Sequence, residues 1–264
     1  MAARAVRKYW VLGSKGFLQN LQYTASHLIN SVASAIFGLV YIYLWKAVTP
    51  VEGFADYTVE TVVQYVMFNQ VILWFTHFAI RTHGRIRDSV RSGNVATELA
   101  RPMGFFAYRI ASDYGSQLYS LLFRGVPVGL LLSVFGHYLP KNPATWAWTL
   151  LSLALGAYIG IVSKYIVGVT AFWTTEIRTA WTVETSLVFG LGGASMPLEV
   201  LPPIAQRIAA FTPYPCMCYY PARIFLELSG PGLIWRSLFW AVALTVFAQA
   251  LTALARRKLE VQGG

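Results

Sequence analysis

The residues able to carry chemistry are few and scattered. His27, His77, His83 and His137 lie on different apolar stretches or at their edges, without the two-histidine spacing on one helix that a metalloenzyme uses. Cys216 and Cys218, the only cysteines, are too close in sequence to staple a fold with a disulfide. No Gly-Lys-Ser or Gly-Lys-Thr occurs, so there is no P-loop, and Gly190-Leu191-Gly192-Gly193 lacks the preceding strand and the onward spacing of a dinucleotide loop. Paired carboxylates within one apolar stretch, usual in membrane hydrolases and proton-relay pumps, are missing. These absences predict a chain with no catalytic residues, no metal site and no cofactor of its own.

Two cations do stand inside apolar stretches. Arg124 lies about 13 Å along a helix from Gly115, so it either snorkels to the nearer interface or faces a substrate path. Lys164 belongs to a stripe of Ser152, Gly156, Gly160 and Gly168 at four-residue spacing, small residues that let a second helix approach closely within the subunit or across a dimer. On that stripe Lys164 needs a partner or a water-filled cavity, and Glu176 and Glu184 are the acidic candidates. Glu60 sits at an outer boundary, where a solvated carboxylate needs no partner.

The elements that must position these groups follow from composition. The chain has 264 residues, 56% hydrophobic and 12% charged, with a net charge of +10. Soluble domains average about 25% charged residues, so the class is a single all-α polytopic membrane domain. The charge does not indicate nucleic acid, because the basic residues fall at the ends of apolar spans. Six spans are predicted at about 23–45, 58–80, 115–138, 143–175, 179–196 and 233–254, each judged against the roughly 20 residues needed to cross hydrocarbon. The fourth ends either at Lys164 or, as a long tilted helix, near Thr175. Residues 1–22 place Arg4, Lys8 and Lys15 on one helical arc and Val6, Trp10, Phe17 and Leu21 on the other, the pattern of an interfacial helix lying against membrane lipids. No removable signal peptide is expected there.

Orientation follows from lysine and arginine. Arg4, Arg7, Lys8 and Lys15 precede the first span; Arg81, Arg85, Arg87, Arg91, Arg101 and Arg109 separate the second from the third; Arg178 separates the fourth from the fifth; Arg256, Arg257 and Lys258 follow the sixth. Only Lys46, Lys141, Arg207, Arg223 and Arg236 fall on the other side, so both termini are predicted to be cytoplasmic.

Two connections are more than turns. In the cytoplasmic loop 81–114, Gly93 ends one helical stretch, Asn94 is placed to cap the next and Pro102 stops it, giving a short helix suited to docking something soluble. Between spans five and six, residues 197–231 are apolar and broken by Pro197, Pro202, Pro203, Pro213, Pro215 and Pro221, which suggests short helices dipping back toward the outer leaflet as an outer gate.

With these features in place the chain resembles the permease subunits of ABC-2-type exporters, in particular a small six-span branch whose first cytoplasmic loop reads Ser-Gly, a spacer, then Leu-x-Arg-Pro. Here that signature is Ser92-Gly93 and Leu99-Ala100-Arg101-Pro102. The family often has an acidic residue after the Gly, where this chain has Asn94. The resemblance implies a bacterial inner-membrane exporter of two permease subunits, identical or homologous, with two separate ATPase subunits that bind ATP and Mg. The expected ATPase-docking residues are Arg91, Gly93, Asn94, Glu98, Leu99, Arg101 and Pro102, with Leu99 as apolar anchor and Glu98 and Arg101 as rim contacts. Arg124, Lys164, Pro197, Pro202 and Pro203 are the pathway or gate candidates. The alternatives, a membrane enzyme acting on lipid headgroups or a proton-coupled carrier, would need a clustered acidic or histidine site, or inverted repeats with intramembrane acids.

Overall fold

The computed structural model describes residues 2–21, 24–101, 104–174 and 176–262, and side chains outside 2–6, 24–28 and 259–262. Among the described residues the chain is helical, with a single isolated bridge between Phe54 and Tyr57 in place of any strand. Helix α1 (Ala2–Asn20) leads to α2 (Thr24–Val48). Helix α3 (Val59–Leu73) starts on Thr58, whose hydroxyl accepts the Thr61 N–H at 3.2 Å, and runs on through a π-helical turn, Trp74–Phe78. Two short helices follow, α4 (Thr82–Arg91) and α5 (Val95–Leu99).

A long rod then comprises α6 (Phe105–Ser120), a second π turn (Leu121–Gly125) and α7 (Val126–Leu132). Helix α8 (Pro143–Val169) opens with proline at its first position and the Asn142 side chain accepting the Ala144 N–H at 2.9 Å. It passes Lys164 unbroken, and α9 (Ala171–Thr174) extends it by a turn. Helix α10 (Arg178–Leu191) precedes the proline-rich connection, which holds α11 (Pro203–Ala210) and α12 (Tyr219–Phe225); α13 (Leu233–Gln262) closes the chain.

Among the described residues, four helical stretches are long and apolar enough to cross a membrane: Ile29–Val48, Phe105–Phe135, Pro143–Thr174 and Leu233–Lys258. The rod formed by α3 and its π turn spans about 30 Å at 1.5 Å per residue, yet it is less apolar because Gln64, Asn69, Gln70, Thr76 and His77 stud it. All five are buried against neighbouring helices. Helix α10 has 14 residues and is too short to cross alone.

Helix α8 is the central post. Its small-residue stripe packs against this chain's own elements: a side chain on Gly156 would come within 2.6 Å of the Cys216 carbonyl, one on Gly160 would overlap the Thr76 carbonyl, and one on Gly168 would meet His83 Cα at 2.9 Å. Ser152 on the same stripe is fully buried. The stripe therefore serves packing within the subunit. Measured along α8, Gly156 lies about 20 Å from Pro143, so the irregular backbone at Cys216–Cys218 reaches deep into the bundle. Cys216, Met217 and Cys218 are completely buried beside Ile72, Leu73 and Ala157, the condition under which non-helical backbone survives at such depth.

Helix α1 does more than present an amphipathic face. Gly13 and Gly16 cross α6 at Gly115 and Ser112: a side chain on Gly16 would overlap the Ser112 carbonyl, and one on Gly115 would overlap the Gly13 carbonyl. The Ser116 hydroxyl donates to the Gly16 carbonyl at 3.1 Å, and Phe17 meets Tyr119 edge-on, ring centroids 5.3 Å apart. Trp10 and Leu18 stay exposed on the outer side.

Candidate functional site

At the arginine-rich end of the bundle, α4 and α5 form a small platform. Ser92 closes α4, and Gly93 takes φ +75°, a left-handed conformation in open space that glycine adopts without strain. Asn94 holds the position before α5, but its side chain makes no cap bond; its carbonyl instead accepts the Thr97 hydroxyl at 2.7 Å. Val95 is buried and Leu99 half-buried, both in the cluster of Ile80, Ile86 and Phe105. Glu98 turns inward to Arg109 of α6 at 2.5 Å, and the ring of Phe105 lies under the Arg109 guanidinium. Within the chain, Leu99 packs α5 onto its own subunit and Glu98 fastens it to the long α6 rod, alongside the anchor and rim roles that the sequence suggests for them. A charged side chain four residues after Asn94 reads as a surface group in sequence, and only the fold brings Arg109 beneath it.

The outward face is left to Arg91, Ser92, Gly93, Asn94, Ala96, Thr97, Ala100 and Arg101, all exposed. Arg101 lies 5.2 Å from the Tyr108 ring centroid, and Arg91 is 3.9 Å from Glu176. Pro102 lies outside the described residues. Beneath the platform Asp113 of α6 accepts from the Thr82 hydroxyl and from Arg85 at 2.9 Å, tying α4 to the same rod. Burial, with Lys164 and Arg87 close by, pushes His83 down to about 4, and its neutral ring stacks on Trp181 with centroids 5.6 Å apart.

Of the two acidic candidates for Lys164, the fold selects Glu184. The pair closes at 2.7 Å between α8 and α10, with His77 Nε2 at 3.4 Å and the Thr185 hydroxyl at 3.5 Å. Glu176 instead accepts the backbone N–H groups of Ile177 and Arg178 at 2.9 Å, capping α10, and those bonds hold its carboxyl below the usual carboxylate range. Lys164 is thus a buried ionic tie between helices.

At the opposite end, Arg223 of α12 is the centre of a network absent from the sequence-based candidates. It donates to Asp56 at 2.6 Å, to Glu199, to the Ser229 hydroxyl at 2.7 Å and to the Leu228 carbonyl at 3.0 Å. One guanidinium thereby joins the α2–α3 loop, the segment after α10 and the α12 turn. An arginine inside the apolar run 214–226 was its only signal in sequence. Pro197 is buried at the start of a 3-10 turn, whereas Pro202 and Pro203 are exposed and start α11. The Tyr65 hydroxyl donates to the Gly193 carbonyl at 2.5 Å and the Trp45 indole to the Ser195 carbonyl at 3.1 Å, fixing this segment to α3 and α2.

Arg124 sits on the second π turn, buried, its guanidinium 4.8 Å from the Trp74 ring centroid on the first. It lines a cavity of about 450 Å³ between α2, α3 and the α6–α7 rod.

Comparison with curated proteins finds no match. The family model described as ABC-2 family transporter protein matches residues 19–263, and this chain belongs to that family as a multi-pass membrane permease.

Proposed function

We propose that the chain is the permease subunit of an ATP-driven exporter, working as a homodimer or with a homologous permease, and driven by two separate ATPase subunits that dock on the α4–α5 platform. In this reading the arginine-rich end is cytoplasmic, both termini lie there, and α3, with α10 continued by the segment 192–196, completes six spans in a bacterial inner membrane. The observation that carries it is the mounting of α5. Through Val95, Leu99 and the Glu98–Arg109 pair, a push on its exposed face is delivered to α6, a rod that continues through the bundle. Rigid elements joined in this way transmit a movement that loops absorb.

The exposed face also sets the test. Thr97→Arg and Ala96→Arg add bulk and charge outward while leaving the buried anchors intact, so the permease should still fold and insert. Each variant should lose at least tenfold in recovery of a copurifying ATPase, or separate ATP hydrolysis from export. Leu99→Asp, by contrast, should loosen α5 itself, because it places a carboxylate in an apolar contact at a cost of about 2 kcal/mol or more. Full ATPase binding and coupled export by both arginine variants would place the docking surface elsewhere.

A further inference from the structure

We propose that the Arg124 cavity is a binding site for an anionic amphiphile, taken from the membrane through the opening beside α2. Its lining carries two guanidinium groups, Arg124 and Arg81, and among the described residues that line it there is no carboxylate. Arg81 marks the arginine-rich mouth, and Arg124 lies deeper, beside the Trp74 ring. A buried guanidinium behind an exposed one at the mouth favours an anionic occupant, and the planar guanidinium matches phosphate or carboxylate oxygens.

The remaining wall fits an apolar chain. Phe37 of α2 is 64% exposed and Phe78 43% exposed, both at the lipid-facing side, while Arg124 is only 6% exposed. Gln70, Asn30 and Ser34 add polar groups alongside the cations. The site is shaped by two facing π turns, Trp74–Phe78 and Leu121–Gly125, which bring Trp74, Phe78 and Arg124 to a common space. Gly125 allows this approach, since a side chain there would come within 2.7 Å of the Val71 carbonyl. Extra-residue turns of this kind interrupt regular helices at functional positions. A volume of about 450 Å³ is within the range of small-molecule sites and accommodates a headgroup with the start of its chain.

This assignment deepens the export reading and rests on it only for direction of travel, because occupancy is a property of the permease alone. The test uses the purified full-length permease in nanodiscs, without ATPase. Phosphatidylglycerol and phosphatidylcholine bearing a photoactivatable chain are compared, and crosslinks are mapped by mass spectrometry. Phosphatidylglycerol should crosslink near Phe37 and Phe78 at least fivefold more than phosphatidylcholine. Arg124→Gln should reduce that yield tenfold, Arg124→Lys should restore part of it, and Arg81→Gln should give a smaller loss. Arg207→Gln, on the far exposed helix α11, should change nothing. Excess inorganic phosphate should compete if the headgroup anion alone is recognised, and should fail to compete if the chain is needed; either result keeps the anionic site. Equal crosslinking by both lipids, an unaltered yield in Arg124→Gln, or protection of Phe37 by a second permease copy would overturn the proposal. Loss of ATPase copurification with lipid selectivity intact would instead count against the coupling reading.

Discussion

Single charged side chains do structural work in this protein because each is held by a specific partner. The Lys164–Glu184 pair is almost fully buried, so removing one partner strands the other in a low-dielectric interior at a cost of about 3–5 kcal/mol. Lys164→Met should therefore lower the melting temperature in detergent markedly, and adding Glu184→Leu should recover most of the loss; thermal unfolding of the single and double variants checks this. Glu227 shows the opposite, exposed case. It accepts from the Tyr138 hydroxyl at 2.6 Å, from the N–H groups of Lys141 and Asn142 and from the Thr145 hydroxyl at 2.9 Å, which fastens the α12–α13 turn to the start of α8. Those bonds, the Tyr138 one foremost, push its carboxyl down to about 2. A depressed pKa means that the stabilisation is complete above the ordinary glutamate value and is lost as pH falls toward 2. Glu227→Gln should melt earlier than the wild type at pH 7, and the two curves should draw together as pH falls from about 4 toward about 2.

At the scale of elements, close backbone approach decides which helices move together. The crossing of α1 on α6 is built from Gly13 and Gly16 against Gly115 and Ser112, with no room for a side chain at Gly16 on one helix or at Gly115 on the other. Gly115→Leu should force the helices apart, at a cost of about 1–3 kcal/mol, and release α1. Trypsin cleavage at Lys15 in inverted vesicles should then speed up severalfold while the remaining bundle stays resistant; an unchanged cleavage rate would show that lipid alone holds α1. The same rod, α6, receives α5 through Glu98–Arg109 and α4 through Asp113, so three elements of the arginine-rich end are bound to one long helix. Mechanical continuity from the platform to the Arg124 π turn follows from that arrangement.

For the whole molecule, the distribution of arginine and lysine sets the expected orientation. Single cysteines placed at Arg91 and Arg207, in a background with Cys216→Ala and Cys218→Ala, should label from opposite sides, position 91 from the cytoplasm and 207 from outside. Both native thiols are buried, so alanine fits their sites with little disturbance. Labelling of position 91 in intact cells would require the span order to be redrawn. The Arg223 network sits at the end opposite the platform with Asp56 and Glu199, so the two ends of the bundle are each closed by arginine-centred ties, one beside the platform and one holding the deep proline-rich segment.

What the sequence determined by itself was the class, the distribution of charge and the punctuation. Apolar runs of more than 20 residues leave helices as the way to satisfy backbone polar groups in lipid, so the all-α membrane character follows from composition. The Gly93 break needed no more than local backbone chemistry. The tertiary structure decided everything that depends on which distant residues meet. Leu99 and Glu98 read as an outward anchor and rim, yet Phe105 and Arg109 draw them inward. Lys164 had two acidic candidates, and the antiparallel packing of α8 on α10 selected Glu184. The stripe of small residues was compatible with packing inside the subunit or between subunits, and it became an internal contact when Cys216, Thr76 and His83 closed over it. Helical periodicity tells which face a residue occupies, but the partner on that face comes from another part of the chain, and no local rule connects the two.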